Sequence, residues 1–296
     1  MASALRSVPG AVGVVILGAA LAAPAGLGAT TADQVAAQRA ATWLGGEQPS
    51  SMPAGQQADI MVALRLTGTR AATLAPRLQA LADAAPAYAD TAGATAKVVL
   101  GTLAADGNPS RLGGVNYLAR LRSDSTPAGR YGRTAFDHGL AMIALRAATG
   151  SVPPRAATVL AGLRSGPGWN LGLTRGGVPD VDSTALSVVA LRAAGRPCSS
   201  AAIRQARAWL ASQRTAGGWT AYPGSPPSAN STALVARAEI ACGASAAPAL
   251  SVIRALQQRS GAIRFTRTEP ESRLLATTES VPPLVGVSLA GGLRPG

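Results

Sequence analysis

The stretch "DSTALSVVALRAAG" (Asp182–Gly195) recurs further along the chain as "NSTALVARAEIACG" (Asn230–Gly243). In each, a polar residue opens an almost unbroken apolar run, and a glycine closes it thirteen residues later. An apolar run of this length ending on glycine reads as a helix with a C-terminal cap, because glycine enters the left-handed conformation without a Cβ clash. Working outward, the same ending closes "ADIMVALRLTG" at Gly68, "TAKVVLGTLAADG" at Gly107 and "HGLAMIALRAATG" at Gly150. The closing glycines are spaced by 39, 43, 45 and 48 residues. A near-constant period of this length signals stacked supersecondary units.

Amphipathic helices lie between the apolar ones. In "SSAAIRQARAWLASQ", Ile203, Ala206, Trp209 and Leu210 share one face, while Arg204, Arg207 and Ser212 share the other. "DQVAAQRAATWL" does the same with Val35, Ala40, Trp43 and Leu44, and "GGVNYLARLR" with Val115, Leu118 and Leu121. "SVIRALQQ" supplies another near the C-terminus. A helix that is apolar all round must be covered on all sides. Alternating the two types around a ring achieves this, with apolar helices inside and amphipathic ones outside. The expected fold is therefore all-α, an α6/α6 toroid (barrel) of six helix-pair repeats; a linear solenoid is the alternative. The sixth inner helix comes from "LLATTESVPPLVGVSLAGG", where Pro282 and Pro283 are expected to break or delay it.

The chain has 296 residues, 47% of them hydrophobic and 3% aromatic. Its core must therefore be built from Ala, Leu, Val and Ile. The net charge is +13, almost all from arginine, with Lys97 the sole lysine. The arginines are dispersed, which points to a solvated surface and away from nucleic acid; an anionic cell-envelope polymer remains a candidate partner. Residues 1–29 read as a secretory signal, one basic residue (Arg6) before an apolar span, with cleavage expected after Ala25 or Ala29. The domain would then span 30–296. No later segment is long and apolar enough to cross a bilayer, and a secreted, extracellular monomer is expected. Export permits oxidation. Cys198 follows the end of the fourth inner helix and Cys242 closes the fifth. Both fall at the same end of adjacent units, so a disulfide is expected.

"ARAWLASQRTAGGW" (Ala206–Trp219) resembles the Gln-Trp repeat of the terpenoid cyclase and protein prenyltransferase α/α-toroid superfamily, through Trp209, Leu210, Gln213, Gly217, Gly218 and Trp219. "ATWLGGEQ" keeps Trp43, Leu44 and Gln48, and "RSGPGWN" keeps Gly168 and Trp169. The likeness extends to secreted bacterial prenyltransferase/squalene-oxidase repeat proteins, and covers nearly the whole chain after the signal. The barrel is also similar to that of cobalamin carriers, whose ligands bind at its mouth. "DVDSTA" is similar to the Asp-rich motif of squalene–hopene-type class II cyclases. That resemblance implies Asp182 as the acid that protonates an alkene and Asp180 as its neighbour, with Ser183 standing where the motif ends in a further aspartate.

The repeat itself argues otherwise. Asn230 occupies the position of Asp182, and asparagine cannot donate an acid's proton, whereas both side chains can accept from the free N–H groups of a helix start. Asp182 is accordingly read as a helix cap. The scarcity of aromatic rings, whose faces stabilise carbocations, also weighs against catalysis. A metal site is not expected, with His138 the only histidine and the two cysteines far along the chain. Asp137 beside His138 reads as capping. No cofactor motif is present: no phosphate-binding loop, dinucleotide fingerprint or nucleophile elbow.

Arg65, Arg146 and Arg192 each lie just before a closing glycine. They offset the helix dipole there or form a basic rim at the barrel mouth. Arg237 and Glu239 interrupt the fifth inner helix and hint at a polar-lined pocket. With Trp169, Trp219, Tyr222 and Asn230 they form the candidate ligand-binding set. The sequence thus points to a secreted, non-catalytic toroid that binds a small molecule or an envelope partner. A class II cyclase working through Asp182 and a structural envelope protein are the alternatives. A deep cavity with Asp182 at its wall would favour the enzyme.

Overall fold

The computed structural model describes residues 29–48, 52–269, 273–291 and 293. Residues 1–28 of the expected signal segment, Ala25 among them, lie outside the described residues. The described chain holds twelve α-helices: α1 (Thr31–Gly45), α2 (Ala54–Leu66), α3 (Ala75–Tyr88), α4 (Ala92–Ala104), α5 (Tyr117–Ser123), α6 (Ala135–Thr149), α7 (Pro154–Gly162), α8 (Val181–Ala193), α9 (Ala201–Ser212), α10 (Ala229–Ala241), α11 (Ala247–Ala255) and α12 (Arg273–Leu284). Among the described residues there is no strand, only isolated bridges in turns.

Even-numbered helices pack on one another in order, α2 on α4, α6, α8, α10 and α12, and α12 packs back on α2. Odd-numbered helices lie outside, each between two inner ones. Burial follows the sequence pattern. In α8, Val181, Ser183–Leu191 and Ala193 are all buried, whereas α9 buries only Ile203, Ala206 and Leu210. One expectation fails in α1. Val35 is exposed, and the buried face is built from small residues, Ala36, Ala37, Ala40 and Ala41, with Leu44. The buried stripe runs through positions 33, 36, 37, 40, 41 and 44 at helical spacing, and Val35 falls off it.

The ends of the chain meet, which excludes an open solenoid. Arg254 of α11 forms an ion pair with the buried Asp33 of α1. Gln257 Nε2 donates to the Ala36 carbonyl at 2.8 Å, and Arg39 Nη2 donates to the Gln258 carbonyl at 2.7 Å.

The glycine endings are left-handed at Gly68, Gly150, Gly195 and Gly243. After α4 the left-handed residue is Asp106 instead, and Gly107 is needed for a different reason: an added Cβ would lie 2.9 Å from the Thr102 side chain. Pro282 and Pro283 do not break α12. They fall in its last turn, where each removes one i→i−4 bond but little helix remains to be disrupted, and the backbone continues through Val285 N–H to Val281 and Val287 N–H to Pro282. The expected disulfide joins Cys198 to Cys242 with a Cα separation of 5.7 Å, tying the ends of α8 and α10 together.

Candidate active site in the central cavity

The caps define the register of the inner helices. Asp180 caps α8, accepting from Ser183 N–H at 2.7 Å, and Ser228 caps α10, accepting from Ser231 N–H at 3.2 Å. Asp182 and Asn230 are therefore not the caps; each lies one residue inside its helix. The reason is that the extended cap residue comes two positions earlier than the apolar run suggests, so the first turn already includes them. The recurring threonine has its own role. Thr184 Oγ1 accepts from Trp169 N–H at 2.9 Å, and Thr232 Oγ1 accepts from Trp219 N–H at 3.2 Å. Each indole then donates to the end of the preceding outer helix, Trp169 to Leu160 and Trp219 to Leu210, both at 2.7 Å. Glycine must precede each tryptophan, because a Cβ at Gly168 or Gly218 would meet the threonine hydroxyl at 2.4 or 2.5 Å.

Counted from the caps, residues at the second, sixth or ninth position of the inner helices share one stripe and face the ring's axis. There they line a cavity of about 330 Å³. Asp182 and Leu186 come from α8, Asn230, Leu234 and Arg237 from α10, Phe136 and Leu140 from α6, Lys97 and Leu100 from α4. Asp59 and Val62 of α2, and Leu275, Glu279 and Pro282 of α12, complete the wall. Exposure falls along the stripe. Asp182, Asn230 and Phe136 near the helix starts are half-buried, while Val62, Leu100, Arg237 and Pro282 are buried. The cavity opens at the N-terminal ends of the inner helices and is floored near Arg237 and Leu289.

One side of this cavity is charged. Lys97 Nζ donates to Asp59 Oδ2 at 2.6 Å, and Arg237 Nη1 donates to Glu279 Oε2 at 2.8 Å. Burial pushes the Asp59 carboxyl up, with Lys97 pulling it partly back. Burial alone would lower Lys97, but Asp59 and Glu279 together hold it above its ordinary value. Asp182 lines the same cavity from α8. Burial raises its carboxyl to about 6; the neighbouring Ser231 hydroxyl opposes the rise, and the charges of Asp180 and Glu279 add to it. Its Oδ1 has no hydrogen-bond partner. A carboxyl so placed holds its proton under mildly acidic conditions at the wall of the cavity, where it can donate it.

The other candidates separate. Asp180 caps and stays out of the cavity lining. Trp169 and Trp219 are buried pins between outer and inner helices, and Tyr222 is exposed on the loop before α10. Glu239 faces outward and pairs with Arg207 at 2.5 Å, so of the two polar interruptions in α10 only Arg237 reaches the cavity. The basic rim does not form a free mouth. Arg65 pairs with Asp106, Arg146 donates to the Gly150 carbonyl, and Arg192 donates to Ala241 and Arg196 carbonyls. All three lie at the C-terminal ends of the inner helices, opposite the opening. His138 is buried, accepting from Tyr131 N–H at Nδ1 and bonding the Ala156 carbonyl at Nε2. Asp137 completes a capping box with Thr134. Among the described residues no group of three or more His, Cys, Asp or Glu is placed to hold a metal ion, and no helix is long and apolar enough to cross a membrane.

Asp59, Lys97 and Glu279 were not singled out from sequence. A signal existed: each interrupts an apolar inner helix, as Arg237 does, and Lys97 is the only lysine in an arginine-rich chain.

No family model and no curated protein sequence matches the chain. Solved structures do. The type II terpene cyclase MstE from Scytonema, in its apo form, is similar with a TM-score of 0.62 at 16% identity, over 86% of this chain and 97% of that one. The fold resembles the α/α-toroid of the type II terpene cyclases. A variant of MstE in complex with its substrate, geranylgeranyl dihydroxybenzoate, matches this toroid with a TM-score of 0.62 at 15% identity, over 88% of this chain and 97% of that one. A Candida albicans protein geranylgeranyltransferase-I complexed with GGPP gives a TM-score of 0.47 at 10% identity, over 66% of each chain.

Proposed function

We propose that this protein is a class II terpene cyclase that starts its reaction by protonation from Asp182. The observation that carries the reading is a largely buried carboxyl, one oxygen of which has no hydrogen-bond partner, at the wall of a mostly apolar cavity. The cyclase MstE, which shares the toroid, takes up a prenylated substrate, and this supports the same use of the cavity here.

In the reaction, an alkene's π pair takes the Asp182 proton, forming a C–H bond and a tertiary carbocation. A second alkene attacks that cation and closes a C–C bond. Loss of a proton from the cyclised cation ends the sequence, and solvent returns a proton to Asp182, so the net change is an isomerisation. Asp180 fixes the start of α8 and, through its charge, helps keep the Asp182 proton in place. Phe136 offers one ring to the cation, and the carboxylates of Asp59 and Glu279 supply negative charge across the cavity. A single ring suits one or two ring closures better than a long cascade.

The test is to incubate the purified protein with linear prenyl alcohols and ketones in deuterated buffer near pD 5.5 and to analyse the extract by mass spectrometry. A cyclic isomer carrying one deuterium at the initiating carbon is expected. Absence of any cyclised or deuterated product across the panel would sink the proposal.

A further inference from the structure

The floor of the cavity contains a donor without an acceptor. Arg237 is 3% exposed. Its Nη1 bonds Glu279 and its Nε reaches the Ser288 carbonyl at 3.4 Å, but its Nη2 has no partner. Leaving a buried guanidinium N–H unmet is costly, so this position calls for an oxygen. It does not call for a negative charge. Two cations, Lys97 and Arg237, share the cavity with three carboxyls, Asp59, Glu279 and Asp182. The cations are already matched by the first two, and ionisation of Asp182 would make the cavity net negative. An anionic group brought to the floor would sit beside Glu279 with no cation left to balance it.

Arg237 and Asn230 lie on the same face of α10, seven residues apart, which is about 10 Å of helix rise. Asn230 stands at the level of Asp182, near the opening. An oxygen held at Arg237 thus lets a hydrocarbon chain run up past Leu234 and Leu186, with its far end at the acid.

We infer that the cavity takes an isoprenoid with a neutral carbonyl head group, a ketone or an ester, bound head-first on Arg237, and not a prenyl diphosphate. This rests on the proposed reading of the cavity as the substrate site. Arg237 is here a binding and positioning residue; it takes no part in proton transfer.

The experiment is calorimetric titration of the full protein with three probes: geranylacetone, the hydrocarbon of the same skeleton lacking the oxygen, and geranyl diphosphate. The ketone is expected to bind roughly 10- to 100-fold more tightly than the hydrocarbon, the range for a hydrogen bond to a charged group. The diphosphate is expected to bind more weakly than the ketone. In the charge-neutral double variant Arg237→Met with Glu279→Gln, the gap between ketone and hydrocarbon should close. A second readout needs no variant: the carbonyl stretch of the bound ketone should fall in frequency relative to an alkane solution. Equal binding of ketone and hydrocarbon, tighter binding of the diphosphate, an unshifted carbonyl band or no binding of the ketone would each overturn the inference. Turnover is not needed for any of these. Ketone preference in a protein that cyclises nothing would remove the cyclase reading and leave this one standing. Asp182-dependent cyclisation of a diphosphate would do the reverse.

Discussion

At the start of α8, Asp180 caps the helix and Asp182 faces the cavity; at the start of α10, Ser228 caps and Asn230 faces the cavity. The next residues, Ser-Thr-Ala-Leu, are identical, and in both helices the threonine holds the tryptophan loop. The two starts share their scaffold and, among their cavity-lining positions, differ only at Asp182 against Asn230. Capping needs only an acceptor, so Asp and Ser serve equally. Proton donation needs an acid, and only α8 has one.

The comparison breaks most visibly in turnover. Asp182→Asn makes the start of α8 match that of α10, and should lower cyclisation by roughly 100-fold or more, the contribution of a general acid. Its melting temperature at neutral pH should not fall, since a buried carboxylate has been removed. Asn230→Asp adds a carboxyl on the neighbouring helix and should not restore activity to the Asp182→Asn protein. Full activity in Asp182→Asn, measured by product yield, would end the cyclase reading.

The far ends of the same two helices are joined by the Cys198–Cys242 bridge, across a sequence separation of 44. Replacing both cysteines with serine should cost about 4 kcal/mol in the chain-entropy account. Denaturant unfolding of the oxidised protein against the double variant measures it. A loss well below 1 kcal/mol would mean that the ring's own closure already holds these ends.

A smaller effect distinguishes the cavity positions by pH. Asp182 titrates at about 6 in the folded protein against an ordinary value of 3.8, so folding disfavours its ionised form. Its share of stability is full below the unfolded value, declines between pH 4 and 6, and stays low above that. The difference is on the order of 3 kcal/mol. Asp59 and Asp180 are raised in the same direction, also by burial. The quantity to read is therefore the gap between wild type and Asp182→Asn, which should widen from pH 4 to pH 6 in favour of the variant. A constant gap would place the Asp182 carboxyl in water.

The caps should show the least difference. Asp180→Ala should cost about 1 kcal/mol, whereas Asp180→Ser, which copies Ser228, should stay within a few tenths. Thermal melts of the two variants decide it; an equal loss in both would give Asp180 a role beyond capping.

The sequence by itself determined the alternation of helix types, and it pointed to a closed ring and to the cysteine pairing; the packing of α12 on α2 decided the ring against a solenoid. Outer helices carry a clear apolar face, inner ones are apolar throughout, and a glycine closes each run. These are local signals, and periodicity reads them directly. It did not determine which side of an inner helix faces the axis. In α8 nearly every residue is buried, so no polar face marks a direction, and Asp182 looks the same in sequence whether it caps the helix or lines a cavity. That was settled by the turn of extended backbone ahead of Val181, which moves the cap back to Asp180, and by the packing of α6 and α10 on either side. Nor could sequence bring Asp59, Lys97, Arg237 and Glu279 together. They come from four helices, and only closure of α12 onto α2 brings the two ion pairs into one cavity with the acid.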